Sequence, residues 1–302
     1  MNGQKLTVFK QSIGIVCYNT SGMLKKCVDH ILSTQGLNLN ETLFILTNPG
    51  SSDNTELVCN SYSNINKIVI SMDYKSAVEN HYASARSIND QMAISILLGI
   101  PYFIMHDNDA FMNNNRMNPM INSMYDKYDR ELIVMGGRPS YAVEFPQDKR
   151  EYFFEGYKYP CQLFTMATID VKKFVDNIGW WSESLMPHND IDNDINSRIF
   201  NNSRFKNDEI GIMVDYLNIY EHYGRVSEKA PNYNPVLRQD GIRHWDVYKM
   251  MWGQYAPGYI NVHPLNNIKF DRGVNYDFIP MNNSAVFKRV DKIINEFIKN
   301  QN

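Results

Sequence analysis

The stretch Tyr102 to Met112, YFIMHDNDAFM, decides how the rest of the chain is read. Its apolar run Tyr102-Phe103-Ile104-Met105 has the length and residue types of a buried parallel strand, and it ends abruptly in Asp107-Asn108-Asp109. Two carboxylates at the carboxyl end of such a strand stand where open α/β sheets bind ligands. Paired hard oxygen ligands are also what Mg²⁺ or Mn²⁺ needs to hold a diphosphate. A polar turn capping a strand has the same composition, so the triplet takes its meaning from its neighbours.

Outward from that stretch the chain alternates strand and helix. Upstream, Ser12 to Tyr18, Leu43 to Leu46 and Lys67 to Met72 read as strands, while Leu24, Val28, Ile31 and Leu32 recur at helical spacing. The long segment Glu79 to Leu98 reads as a helix and enters the central strand through Gly99-Ile100-Pro101. This pattern predicts a parallel sheet with helices on both faces. Downstream, a helix is expected over Met117 to Tyr128 and strands over Leu132 to Met135, Leu163 to Ile169 and Ile210 to Tyr220. Gly136 to Lys158 reads as loops and short antiparallel strands. A closing helix presents Val286, Val290, Ile293, Ile294, Phe297 and Ile298 on one face.

Composition sets the limits. With 302 residues, 43% hydrophobic and 13% aromatic, the chain can bury a large core, and its net charge of −3 with no basic stripe argues against nucleic acid as a partner. Cys17, Cys27, Cys59 and Cys161 lack CxxC spacing and read as reduced core residues, which favours a cytoplasmic location. The first residues carry no long apolar run, and Met92 to Met105 is too short to span a bilayer, leaving only peripheral membrane contact. A Gly-rich phosphate loop and a GxGxxG turn are both missing after the first strand, against a nucleotidyltransferase or a dinucleotide-dependent dehydrogenase.

Five stretches in order then carry a resemblance. They are the opening strand ending in Tyr18-Asn19-Thr20, the turn Pro49-Gly50-Ser51-Ser52-Asp53-Asn54-Thr55, the helix with Ala83-Ser84-Ala85-Arg86-Ser87, the triplet Asp107-Asn108-Asp109, and Asp192-Asn193-Asp194-Ile195-Asn196-Ser197-Arg198. In this order, over roughly residues 10 to 230, the chain resembles a GT-A fold glycosyltransferase, closest to glycosyltransferase family 2. The resemblance implies an α/β fold, a Rossmann-like mostly parallel sheet flanked by helices. It implies a catalytic domain over residues 1–228 and a C-terminal extension over 229–302 for acceptor recognition or self-association.

It further implies metal-dependent, inverting transfer from a nucleotide-diphosphate sugar, with UDP-sugar as the expected donor, to a hydroxyl acceptor such as a glycan. Mn²⁺ or Mg²⁺ would be held by Asp109 and Asp107, and His222, in His-Tyr-Gly-Arg-Val-Ser after a strand, resembles a further ligand. Tyr18, Asn19, Asn48, Asp53, Arg86, Asp107, Asn108 and Trp181 would line the nucleotide-sugar site. The base would be Asp192 by motif position, with Asp190 as the alternative. On a helix starting at Asp190, Asp194 and Arg198 share its face, while Asp192 points about 200° away.

Two departures bear on these implications. Asn48 stands where the family usually has a base-reading Asp, and Ile191 replaces a Glu. They leave room for a catalytically weak or inactive relative that only binds nucleotide-sugar or glycan. Asp53 before a helix also has the position of an N-terminal cap. Trp180 and Trp181 have the composition of core residues as much as of a sugar platform.

Overall fold

The structure is a computed structural model that describes residues 8–72, 84–113, 115–124, 131–139, 150–152, 166–181, 183, 195, 198–199, 202–207, 209–223 and 283–301. Within these, the expected first half is present. Strands β1 (Gln11–Val16), β2 (Thr42–Pro49), β3 (Asn66–Met72) and β4 (Tyr102–Asp107) pair in parallel in the order β3-β2-β1-β4.

Alternation along each strand builds two cores. On β2, Leu43 and Ile45 face one layer, and Phe44 and Leu46 face the other. On β4, Phe103 and Met105 oppose Tyr102 and Ile104 in the same way. One layer is filled by α1 (Ser21–Thr34), α2 (Thr55–Ser61) and α4 (Met117–Ser123), through Leu24, Cys27, Val28, Ile31, Cys59, Met117 and Met120. The other is filled by α3 (Ser84–Leu97), α5 (Val171–Asn177) and α7 (Asn283–Gln301), through Ala85, Ile88, Met92, Phe174, Val286, Val290 and Ile294. The closing helix is therefore part of the core beside α3. Cys17, Cys27 and Cys59 are buried free thiols.

The second half departs from a uniformly parallel sheet. β8 (Met166–Asp170) lies antiparallel against β4 and continues antiparallel to β6 (Glu131–Pro139). Next, β6 runs parallel to β9 (Ile210–His222), which takes both β5 (Ala110–Met112) and β7 (Arg150–Tyr152) antiparallel. An apolar run reveals burial but not direction, which is why the sequence reading left this reversal out. A short α6 (Ser203–Lys206) precedes β9, and Asp170 caps α5 by accepting from the Lys173 amide.

A candidate metal and nucleotide site at the strand ends

Two carboxyl ends of strands meet at β4. Asp107 is the last residue of that strand and pairs in register with Val16, the last of β1, so the acid triplet sits beside the loop between β1 and α1. Asn108 donates from Nδ2 to Thr20 Oγ1 at 2.7 Å, tying the triplet to that loop. The chain then turns into β5, whose Ala110 pairs with His222 at the end of β9, and the Tyr223 amide donates to the Asp109 carbonyl at 3.0 Å. A three-residue strand thus carries a histidine more than a hundred positions away to the acids.

The resulting side-chain geometry suits an ion. His222 Nε2 lies 3.2 Å from Asp109 Oδ1 and 3.8 Å from Asp107 Oδ2, and one donor atom from each of the three lies within 4.8 Å of the others. Ligands about 2.1 Å from an octahedral ion stand about 3 Å apart when adjacent and about 4.2 Å when opposite, so the spacing fits one shared ion. Exposure grades across the three, with Asp109 at 10%, His222 at 23% and Asp107 at 46%. Asp109 is thus the enclosed member of the triad and Asp107 the one turned toward solvent.

Burial pulls the His222 imidazole down, but its hydrogen bond to the Asp109 carboxylate and the charges of both acids outweigh this and the net shift is upward. Beneath, burial takes His106 down to about 4 and pushes the Cys27 thiol well up, so both are neutral near pH 7.

The predicted nucleotide residues fall into two groups. Tyr18, Asn19, Asn48, Asp53 and Asn108 lie around the β1–α1 and β2–α2 loops, next to the triad. Asn19 takes a left-handed backbone conformation at φ 49°, which Asn tolerates, and its Oδ1 accepts from the Ser52 amide at 2.8 Å. Asn48 is buried, and its Oδ1 accepts from the Ser51 amide at 2.9 Å, so it shapes the turn from within. Asp53 accepts from the Ser21 amide at 3.0 Å and from the Thr55 amide at 3.0 Å, fastening the first turns of α1 and α2 together. Burial raises its carboxyl, yet these bonds and that of the Thr55 hydroxyl hold it below the usual carboxylate range.

Arg86 and Trp181 are placed elsewhere. Arg86 is half-buried on α3, where its charge acts on Asp90. Trp181 is fully buried and stacks on Phe174 with ring centroids 5.1 Å apart. As placed, its ring packs in the core layer around α5. Asp190 and Asp192 lie outside the described residues, as does Asp194. Two groups that matter here were not among the expected site residues: Thr20, the partner of Asn108, which lies within the first resembling stretch, and Gln35, which carries no sequence signal. Buried Gln35 donates to the carbonyls of Met112 and Asn113 and accepts from the amides of Arg116 and Met117, pinning the chain just after β5.

The sequence profile described as Glycosyl transferase family 2 matches residues 12–186, more than half of the chain and including the acid triplet. The chain belongs to glycosyl transferase family 2. A search of curated protein sequences returns no match. Among solved structures, TarS 1-349 of S. aureus in complex with UDP is similar at 13% identity and TM-score 0.50, covering 68% of this chain and 60% of that one. The mannosyltransferase PcManGT from Pyrobaculum calidifontis, in complex with GDP-Man and Mn²⁺, is similar at 11% identity and TM-score 0.50, over 80% of this chain and 64% of that one. GalNAc-T7 with UDP, GalNAc and Mn²⁺ is similar at 12% identity and TM-score 0.50, over 81% of this chain and 50% of that one. This family 2 chain therefore has the GT-A α/β fold, and it spans less than two thirds of the length of each of these three structures. Among the described residues, no helix is long and apolar enough to cross a membrane.

Proposed function

We propose that the protein is a metal-dependent inverting glycosyltransferase that moves a sugar from a UDP-sugar to a hydroxyl of a glycan acceptor. The convergence of Asp107, Asp109 and His222 at the end of β4 carries this reading. Mixed oxygen and nitrogen donors favour Mn²⁺ over Mg²⁺, which keeps to oxygen. The similar mannosyltransferase and GalNAc-T7 hold Mn²⁺, and the similar TarS holds UDP, which supports the same choice here.

Such an ion supplies positive charge where the diphosphate leaves with the electron pair of the broken glycosidic bond. The chain's own residues do the rest. Asp109 and His222 fix the position of that charge from the enclosed side of the site. The β1–α1 loop, locked to Asn108 through Thr20, sets where the nucleoside lies. On the far face of the sugar, Asp192 or Asp190 takes the proton of the acceptor hydroxyl as its oxygen bonds to the anomeric carbon, inverting it. Residues 229–302 are proposed to contribute acceptor recognition or self-association, and a cytoplasmic location accords with the reduced thiols.

Thermal denaturation with a panel of nucleoside diphosphates, with and without Mn²⁺, tests the reading. UDP with Mn²⁺ is expected to raise the Tm most, by several degrees at about a hundredfold excess over Kd, and UDP alone much less. Equal shifts with and without metal would overturn the metal assignment. Tight UDP–Mn²⁺ binding with no turnover of any donor would favour the binding-protein alternative.

A further inference from the structure

The pairing that brings His222 to the acids is short. β6 runs beside β9 only as far as Pro139 and Tyr220, so among the described residues Glu221 and His222 are paired by β5 alone. β5 itself has three residues and stands at the end of the strand order, paired among the described residues only with β9. A strand of that length on a sheet edge makes few ladder bonds to set against the entropy of fixing its residues. Its order depends on what holds it from outside the sheet.

That support comes from α1, which meets the turn from the acid triplet to α4 at points along its length. Ahead of its first residue, Thr20 accepts from Asn108. Midway, the Cys27 thiol lies 3.8 Å from the Asp107 carbonyl oxygen and 4.0 Å from that of Ala110. Three residues on, His30 Nε2 bonds the Met112 carbonyl at 2.7 Å, and since a carbonyl only accepts, His30 donates. At the end of the helix, the Thr34 carbonyl accepts from the Asn115 amide at 2.8 Å.

Gln35, the C-terminal cap of α1, bonds both ends of the turn that follows β5. Its Nε2 donates to the Met112 and Asn113 carbonyls, both at 3.1 Å, and its Oε1 accepts from the Arg116 and Met117 amides at 3.0 and 3.2 Å. The second pair serves the start of α4, where Arg116 at the N-cap position makes no capping bond with its own side chain. Gln35 is fully buried, so water cannot take over these bonds when the side chain is removed. The Met112 carbonyl thus takes donors from both His30 and Gln35, and side chains of α1 stand where a further strand would close the edge of β5.

We propose that Gln35, with His30 beside it, is a positioning residue of the ion site: by holding β5 against α1 it keeps His222 beside Asp109, and so sets how tightly the triad binds a divalent cation. This rests on the reading that Asp107, Asp109 and His222 share one ion.

The test titrates the full chain with Mn²⁺ alone and follows the free ion by its electron paramagnetic resonance, while spin-echo modulation reports a directly bound imidazole nitrogen. The wild type should show one such nitrogen, and His222→Ala should remove it and weaken binding. Gln35→Met keeps the length of the side chain and loses its hydrogen bonds. It is expected to weaken Mn²⁺ binding by about 10-fold or more, the range seen when a group that orients metal ligands is lost, and to diminish the nitrogen modulation. In the His222→Ala background the same substitution should cost less than about twofold, because its effect runs through that histidine. If Gln35→Met does not fold, His30→Leu decides, with a smaller loss of affinity in the same direction. Either variant with a lowered Tm but wild-type Mn²⁺ affinity and nitrogen modulation, measured well below that Tm, would overturn the proposal while the ion site stands. An undiminished effect in the His222→Ala background would do the same. Wild-type protein that binds Mn²⁺ without a nitrogen ligand, or with an affinity that His222→Ala leaves unchanged, would bring down the reading of the ion site, and this proposal with it.

Discussion

Asp109→Asn is expected to cut sugar transfer by at least about a hundredfold while leaving the fold intact. Asn is isosteric, and the Asp109 main-chain carbonyl would still accept from the Tyr223 amide. What changes is the enclosed ligand: a full negative charge beside His222 Nε2 becomes a neutral amide that binds a divalent ion weakly. An ion that stabilises the leaving diphosphate contributes several kcal/mol to the barrier, and about 1.4 kcal/mol is a factor of ten in rate. The graded exposure of the triad orders the other variants. Asp107→Asn, at the solvent side and farther from His222, should cost less than Asp109→Asn. Steady-state kinetics at saturating and limiting Mn²⁺ separates a lost ion from a lost base. Activity that excess Mn²⁺ restores in Asp109→Asn fits the ligand role, and wild-type kinetics in that variant would exclude it.

The largest effect on stability is expected from a residue with no part in the chemistry. Gly14 lies near the centre of β1, paired with Ile45 and Met105, and faces Gln91 of α3. A Cβ at that position would overlap Gln91 Oε1 and the edge of the Phe103 ring. Neither neighbour can yield freely. Phe103 is fully buried, and Gln91 is held by bonds from its Nε2 to Thr47 Oγ1 at 2.8 Å and the Ile45 carbonyl at 3.2 Å. Overpacking costs about 1–3 kcal/mol, and breaking a buried hydrogen bond about as much again. Gly14→Ala should therefore destabilise by about 3 kcal/mol and lower Tm by roughly 5 °C. A Tm within a degree or two of wild type would mean that α3 does not press on β1 there.

How much of this was legible in the sequence depended on the range of each interaction. The runs in β1, β2 and β4 announce themselves because burial on both faces demands continuous apolar residues, and each is a local property of four to eight positions. Ala110 to Met112 gave no such signal. It becomes a strand only because β9 pairs with it, and that pairing is also what brings His222 to the acids. The histidine was found through resemblance, since nothing adjacent to it distinguishes a ligand from a packed imidazole. The burial of Trp181 was not legible for a related reason, since an aromatic residue in such a turn looks alike in a core and in a sugar site. The part played by Gln35 was invisible: it is a polar residue at the end of an ordinary helix, and only the folding of the chain after β5 onto α1 gives its amide partners on both sides.

Anomalous diffraction from crystals grown with Mn²⁺ and UDP is the most direct measurement of the central claim, that one ion is shared by Asp107, Asp109 and His222. The account predicts a single manganese peak about 2.0–2.3 Å from an Asp109 carboxylate oxygen and from His222 Nε2, with the diphosphate on its open side. A UDP-bound crystal with no anomalous peak there, or with manganese held elsewhere, would contradict it.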